Sequence, residues 1–287
     1  MNVATKARIK MICSMAVFGT IGVFIRFIPL SSGELALYRA VFAAILVGGY
    51  LLISKQKIRW GEVKKELPLL LLSGAAMGIN WILLFQSYKY TTVSIATLSY
   101  YFAPVIVTLV CPILFKERLT KKQIFCFVMS TAGLVLIIGV GQAEGATSHL
   151  LGILLGLGAA VFYATVIILN KFIKNVAGIH RTLLQFLASI VVLIPYVACT
   201  GGVHLSELNG TGWVNLLIVG LIHTGITYCL YFSALKDLRG QEAAILSYID
   251  PLVAVIMSVT ILGEGITILQ IVGGVLILGF TLWNELE

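Results

Sequence analysis

Five residues of one apolar run are spaced so that, on an α-helix, they would share one face. They are His223, Thr224, Thr227, Tyr228 and Tyr231, at positions i, i+1, i+4, i+5 and i+8. Side chains of these types often hold neighbouring membrane helices together, so a structural stripe is one interpretation. Five polar-capable groups exceed what such packing usually needs, and they favour a second interpretation, the wall of a ligand-binding cavity.

Two prolines, Pro104 and Pro251, lie near the middle of apolar runs in the two halves of the chain. A proline inside a helix removes a hydrogen bond and clashes with the preceding turn, so both positions predict kinked or broken helices. Broken helices at matching depths mark binding sites in secondary transporters, although simple bending of packed helices also explains prolines. The residues clustered beside the two prolines are Tyr100, Tyr101, Ser247, Tyr248 and Asp250. A tyrosine-rich pocket suits an aromatic or cationic ligand through stacking or cation–π contact.

Asp250 is the carboxylate nearest the middle of any apolar run. As an unpaired anion inside a membrane it would carry a desolvation cost of several kcal/mol. Three arrangements avoid that cost: protonation, pairing with a cation such as His223, or capping of a helix that begins at Pro251. We expect Asp250 to sense charge, by binding either a cationic substrate or a coupling proton.

Other polar residues within the runs are weaker candidates for substrate binding, since each is costly to bury there. They are Asn80, Trp81, Tyr163, Asn170 and Gln185. Arg39 is a possible charge partner, which would bind a substrate carboxylate bidentately or anchor a neighbouring helix end. Glu117 and Glu264 lie at the ends of runs, where we expect structural roles.

The composition requires that these residues be carried by membrane helices. Hydrophobic residues make up 59% of the 287 residues and charged ones 11%, and the mean hydropathy is +1.03. Soluble domains carry roughly 25% charged residues, so most of this surface must meet lipid. Each run is near the roughly 20 residues of a transmembrane helix. The runs are 9–28, 33–54, 67–87, 92–114, 123–141, 150–170, 182–200, 212–234, 241–262 and 267–284. They predict an all-α integral membrane protein with ten transmembrane helices, the first of them retained rather than cleaved as a signal sequence.

The formal net charge of +8 is distributed as a topology signal rather than as a nucleic-acid footprint. If the N-terminus is cytoplasmic, 17 Lys and Arg residues fall in inner segments, and only Arg26 and Lys89 fall in outer ones. This bias predicts a multi-pass protein of the cell membrane with both termini in the cytoplasm. The segment 55–66 would then be inside, and 142–149 and 201–211 outside. The five cysteines occur singly, without a CxxC or Cys/His cluster, so we expect no metal and no cofactor.

The two halves of the chain resemble each other when Pro104 is aligned with Pro251. The pairs that then match are Ala96 and Ala243, Tyr101 and Tyr248, Glu117 and Glu264, Thr120 and Thr267, and Gln123 and Gln270. We therefore divide the chain into repeats 1–142 and 143–287, which share one membrane domain. Five helices in each repeat is an odd number, so the second repeat must insert with inverted topology. Inverted repeats are typical of secondary transporters that work by alternating access.

The matched segments resemble a known family. The segment from Ala96 to Thr120, which ends in Phe115-Lys116-Glu117-Arg118-Leu119-Thr120, resembles the closing motif of an EamA repeat, and so does the segment from Ala243 to Thr267. Phe18-Gly19-Thr20 and Tyr38-Arg39 also fit, although many repeats carry Trp where Phe18 stands. The resemblance covers the whole chain and is to the drug/metabolite transporter superfamily. It implies two inverted five-helix repeats around a central cavity, and small substrates such as amino acids or amines, often exported.

No motif for ATP-driven or catalytic chemistry competes with transport. A GxxxxGK[ST] phosphate loop, a GxSx nucleophile and an HExxH motif do not occur in the sequence, so we expect neither an ATP-driven pump nor an enzyme. We expect a monomeric secondary transporter, an exporter of an amino acid, amine or similar metabolite. Its partners would be the small-molecule substrate, the lipid bilayer and a possible coupling proton, with no nucleic acid. The alternative is a channel or facilitator for small solutes, which repeat symmetry does not exclude.

Overall fold

The computed structural model describes residues 3–55, 58, 60–115, 120–139, 146–176, 178–235, 237–238, 243 and 246–286. Within these residues the chain is helical and contains no strand. The helices are α1 (Val3–Ile25), α2 (Ser32–Ile53), α3 (Trp60–Tyr90), α4 (Val93–Tyr100), α5 (Ala103–Phe115), α6 (Lys121–Gly139), α7 (Ala146–Phe172), α8 (Gly178–Cys199), α9 (Gly210–Leu217), α10 (Thr227–Leu235), α11 (Ile249–Thr260) and α12 (Ile268–Glu285). A 3₁₀ turn (Leu205–Glu207) precedes α9, and a π-helical segment (Ile218–Ile226) joins α9 to α10.

Seven helical segments in the described part of the chain are long and apolar enough to cross a membrane. They are Val3–Ile25, Ser32–Ile53, Trp60–Tyr90, Val93–Cys111, Ser148–Phe172, Gly178–Cys199 and Gly210–Ala234, with two shorter apolar helices at Ile249–Thr260 and Ile268–Asn284. Helices overlap every apolar run of the sequence. α3 begins at Trp60 rather than at residue 67, because Glu and Lys continue the helix beyond the apolar run. The protein is an all-helical, multi-pass membrane protein.

The helices are broken beside both prolines, as the sequence predicts. α4 ends at Tyr100, and Phe102 N donates to Ser99 O at 3.2 Å in a tightened turn before α5 begins at Ala103. In the second half, Tyr248 is a turn residue between helical residues 246–247 and α11. Pro104 and Pro251 therefore lie in the first turns of α5 and α11, where a missing N–H costs little.

Thr120 and Thr267 cap α6 and α12 in the same way. Thr120 Oγ1 accepts from Gln123 N at 3.2 Å, and Gln123 Oε1 accepts from Thr120 N at 2.8 Å. Thr267 Oγ1 accepts from Gln270 N at 3.2 Å, and Gln270 Oε1 accepts from Thr267 N at 2.9 Å. These are two capping boxes, each of which satisfies two backbone donors. The residues paired by aligning the two halves thus have the same structural role.

Small residues bring helices of the two halves into close contact. α6 packs on α12 at Gly133 and Gly273, where a Cβ added to Gly273 would lie 2.5 Å from Gly133 O. α3 packs on α8 at Gly74, where an added Cβ would lie 2.4 Å from Ala188 Cβ. Close backbone approach of this kind is how membrane helices gain packing energy without a hydrophobic driving force.

Different polar contacts hold the two ends of the helices together. At one end the contacts are Arg26 with Glu264, Lys89 with Leu30, Thr91 with His149, and Glu34 with His204. At the other end they are Lys10 with Ser233, Glu66 with Asn175, and Lys122 with Leu286. If successive helices cross the membrane in opposite directions, each set joins helix ends on one side of the membrane.

Candidate functional site

A cavity of about 450 Å³ lies between the two halves of the bundle, lined by residues of α1–α5, α7, α8, α10 and α11. Eleven of the residues that line it are aromatic: Phe18, Trp81, Phe85, Tyr88, Tyr100, Tyr101, Tyr163, Tyr228, Tyr231, Phe232 and Tyr248. A cavity of this size, with apolar walls and few polar groups, has the form of a small-molecule site.

Twelve of the predicted site residues line this cavity. They are Arg39, Trp81, Tyr100, Tyr101, Tyr163, Asn170, Gln185, Tyr228, Tyr231, Ser247, Tyr248 and Asp250. Gln185 also donates to Ser73 Oγ at 2.6 Å. They come from both halves of the chain, and the two breaks beside Pro104 and Pro251 supply five of them. The prolines and the tyrosines around them therefore lie at one cavity, and their role in substrate binding stays a prediction.

Three predicted residues lie away from the cavity and bind other helical segments. Asn80 Nδ2 donates to Ala159 O on α7 at 2.6 Å, and Thr227 Oγ1 donates to Ile222 O at 2.8 Å. His223 Nε2 lies 2.9 Å from Thr20 Oγ1 on α1.

The interpretation of the eighth run as one polar face is wrong, because residues Ile218–Ile226 form a π-helix. Its i→i+5 hydrogen bonds widen each turn, so the α-helical spacing does not hold there. Thr224 Oγ1 donates to Val219 O five residues earlier, and only Tyr228 and Tyr231, beyond the π-helical segment, line the cavity.

Asp250 is hydrogen-bonded at the cavity wall to a residue of the other half of the chain rather than to its own helix. The Tyr101 hydroxyl donates to Asp250 Oδ2 at 2.6 Å. The residue before α11 is Tyr248, and no side chain caps this helix, so the capping arrangement is not found. His223, the possible cation partner, binds Thr20 and faces Ile218 O instead.

Arg39 also lies on the cavity wall, and only 5% of it is exposed. Its Nε donates to Thr224 Oγ1 at 2.7 Å, so Arg39 anchors the π-helical segment. Its Cζ lies 4.6 Å from the ring centroid of Trp81 and 5.5 Å from that of Phe85. Cation–π contacts of this kind hold the guanidinium plane against α3.

The tyrosines form two aromatic clusters on the cavity wall. Tyr100 stacks on Tyr163 with ring centroids 5.0 Å apart and meets Tyr101 edge to face at 5.7 Å. Tyr228 packs edge to face against Phe18 at 5.1 Å, and its ring also contacts Tyr231 at 6.4 Å. The hydroxyls of Tyr100, Tyr163, Tyr228 and Tyr231 have no hydrogen-bond partner among the described residues. They are available to a ligand.

The sequence model of the EamA-like transporter family matches the chain twice, over residues 5–139 and 150–284. The chain belongs to this family. It is 32% identical over 272 residues to the uncharacterized transporter YxxF of Bacillus subtilis, covering 94% of this chain and 86% of that protein. It is 25% identical to a probable amino-acid metabolite efflux pump of Salmonella typhimurium, over 57% of this chain and 58% of that protein.

One solved crystal structure shares the fold of this EamA-like protein. It aligns with a TM-score of 0.68 at 16% sequence identity, covering 96% of this chain and 95% of that one. At this identity the likeness shows the fold alone. The relatives are named as transporters, so the chain is a membrane transporter and not an enzyme.

Several cavity residues of the EamA-like chain were not among the sequence candidates. Arg181 reads as a loop charge in the sequence, but it lies in the first turn of α8, lines the cavity, and donates through Nη1 to Asn170 O at 3.1 Å. Tyr88 lies near the end of α3, where its hydroxyl is 3.4 Å from Thr97 Oγ1. No residue pattern distinguishes Arg181 from a loop charge, because it lies one residue before the predicted run 182–200.

Proposed function

We propose that this protein is a secondary transporter that exports a small metabolite, an amino acid or amine, through the cavity described above. The single observation that carries the proposal is the presence of opposite charges on one aromatic cavity, where Asp250 lies with Arg39 and Arg181. Charged residues inside a membrane bundle are costly and mark substrate or ion pathways. The efflux role named for the Salmonella relative supports the direction of transport.

In this proposal the chain crosses the membrane as ten transmembrane helices. They form the inverted repeats 1–142 and 143–287 of one monomer. The family match in each half and the matched capping boxes support two repeats. Packing supports them as well, because contacts between the halves recur when the halves are exchanged. The contact of α3 with α7 corresponds to that of α1 with α10, and the contact of α1 with α11 corresponds to that of α7 with α4 and α5.

Alternating access would require the two ends of the bundle to open in turn. Contacts such as Arg26 with Glu264 would hold the outer end, and contacts such as Glu66 with Asn175 would hold the inner end. We assign the inner end, with both termini, to the cytoplasm on the strength of the Lys and Arg bias. The membrane in this proposal is the cell membrane.

Asp250 is the charge-sensing group of the mechanism. Its Oδ2 accepts from Tyr101, while Oδ1 has no partner among the described residues and is open to a substrate ammonium or a coupling proton. Tyrosine faces around it would stabilise a cation further. If the substrate ammonium and a proton bind in turn to this one carboxylate, the flux of substrate is coupled to the flux of protons.

Counterflow in liposomes tests the proposal. The purified chain would be reconstituted with a labelled pool of amino acids and amines outside and unlabelled compound inside. A carrier gives saturable uptake that is accelerated by the trapped compound. Flux that rises linearly with concentration and shows no acceleration would instead identify a channel or facilitator.

A further inference from the structure

Arg39 has unused hydrogen-bonding groups although it is nearly fully buried. Its Nε is bonded to Thr224, but Nη1 and Nη2 have no acceptor among the described residues. The guanidinium carbon lies over the rings of Trp81 and Phe85, which supply no conventional hydrogen-bond acceptor. A buried cation without a counter-ion is strongly unfavourable, so a site of this kind is completed by an anion.

No carboxylate of the described chain supplies that anion. Glu34, one turn earlier on α2, accepts from Ser31 N at 3.1 Å and from His204 N at 2.7 Å. Asp250 accepts from Tyr101 and forms no ion pair with Arg39 within 4.0 Å. The two charges share the cavity and attract each other, but they form no ion pair.

The free edge of the guanidinium is the edge that recognises a carboxylate. Because Nε is occupied by Thr224, the terminal Nη1 and Nη2 pair remains, and two parallel N–H groups match the two oxygens of a carboxylate. Arg39 lines the cavity, and its terminal nitrogens are not among the atoms sealed inside the protein. The open edge is therefore accessible to a molecule in the cavity.

We infer that Arg39 is the carboxylate-binding subsite of the cavity, and that the transported molecule is a zwitterion with its acid at Arg39. The position of the ammonium group, at Asp250, rests on the proposed function. Aromatic rings line the same cavity and would contact an apolar or aromatic side chain of the bound molecule. An α-amino acid with such a side chain meets all three requirements, whereas the corresponding amine leaves the Arg39 edge empty.

Three probes that differ by one group separate the subsites: phenylalanine, phenethylamine, which lacks the carboxylate, and 3-phenylpropionate, which lacks the amine. Binding to the detergent-solubilised full chain would be measured by titration calorimetry, and counterflow would be measured in liposomes. The variants are Arg39→Gln, Arg39→Lys, and Arg8→Gln as a matched control at an exposed arginine.

We expect wild-type protein to bind both carboxylates, and Arg39→Gln to weaken both by about tenfold or more, since a hydrogen-bonded charge is lost. Phenethylamine binding should be unchanged. Arg39→Lys should give intermediate affinities because it keeps the charge without the paired donors, and Arg8→Gln should bind all three probes as wild type does.

Equal losses for all three probes in Arg39→Gln would show that Arg39 merely supports the fold, and absence of carboxylate binding in the wild type would overturn the inference outright. The proposed function fails separately. If carboxylate binding depends on Arg39 but no counterflow is seen, the Arg39 subsite is supported and the transporter proposal is contradicted. If the amine shows counterflow but Arg39→Gln does not change carboxylate binding, the transporter proposal is supported and the Arg39 subsite is contradicted.

Discussion

Tyr101 and Asp250 are joined by a hydrogen bond of 2.6 Å from the tyrosine hydroxyl to Oδ2 of the aspartate. The two residues belong to different halves, and each lies within three residues of the proline that follows a helix break. The bond therefore joins the two halves of the chain at the cavity wall, beside both helix breaks. Movement of the halves relative to each other would have to lengthen or exchange this bond.

Replacing Asp250 by asparagine should abolish the pH dependence of transport. The amide keeps the shape of the side chain and can still accept from Tyr101, but it can neither bind a proton nor attract an ammonium. Initial rates in liposomes between about pH 5 and pH 8 measure the effect. Asp237→Asn, at an exposed position, is the matched control and should retain the wild-type profile. If Asp250→Asn keeps the wild-type rate and pH dependence, Asp250 takes no part in the transport mechanism.

Removing single aromatic rings from the cavity should lower substrate affinity without affecting membrane insertion. Tyr101→Ala, Tyr228→Ala and Tyr248→Ala each delete one stacking or cation–π surface, worth about 0.5–2 kcal/mol, or roughly twofold to thirtyfold in affinity. Transport constants from concentration series give the comparison. Tyr50→Ala, on the exposed end of α2, is the control. Unchanged constants in all three cavity variants would place the substrate elsewhere.

Much of this site could be predicted because its signals are local. Pro104 and Pro251 break the helices because the proline ring clashes with the preceding turn, and the tyrosines beside these breaks line the cavity. The π-helical segment could not be predicted, since Thr224 is held by Arg39 from another helix and no residue pattern encodes that contact. His223 and Thr227, which the sequence pattern assigns to a cavity wall, therefore lie away from the cavity. Arg181 was missed because its charge, read locally, belongs to a loop.

The close packing of α6 on α12 should depend on Gly273. A methyl group there would approach Gly133 O to 2.5 Å, and a backbone oxygen cannot move aside as a side chain can. We expect Gly273→Ala to destabilise the protein by about 1–3 kcal/mol, the usual cost of overpacking. Thermal unfolding in detergent measures it. Gly279→Ala on the same helix has open space around the added atom and should leave the melting temperature unchanged. Equal melting temperatures for both variants would contradict the packing described here.

The orientation assigned to the chain predicts which sites an impermeant thiol reagent can reach. In a cysteine-free background, a cysteine at Glu207 should be labelled from outside intact cells, because the segment 201–211 is assigned to the outer side. A cysteine at Lys64 should be labelled only after the membrane is permeabilised. Both residues are exposed in the structure, so burial does not distinguish them. Labelling of Lys64→Cys from outside would reverse the assignment.

Glu264 should matter more than its ion-pair partner Arg26. Besides Arg26, the carboxylate accepts from Val93 N at 2.7 Å and from the Ser258 hydroxyl, so it joins the starts and ends of α1, α4 and α11. Arg26 is about one-third exposed, and an ion pair in that setting contributes about 0–1 kcal/mol. Losing Glu264 leaves the Val93 and Ser258 donors without an acceptor, at about 1–3 kcal/mol each.

The comparison of Glu264→Ala with Arg26→Ala in thermal unfolding and in counterflow tests this difference. We expect the glutamate variant to unfold at a clearly lower temperature and the arginine variant to melt close to wild type. Glu207→Ala, an exposed glutamate on the same side, controls for loss of negative charge. If closing of the outer end depends on this carboxylate, Glu264→Ala should also let an impermeant thiol reagent reach a cysteine placed at Ser94, which is buried beside Ser258 in the structure. Equal melting temperatures and an unreactive position 94 would show that the ion pair alone, rather than the shared acceptor, holds these helix ends.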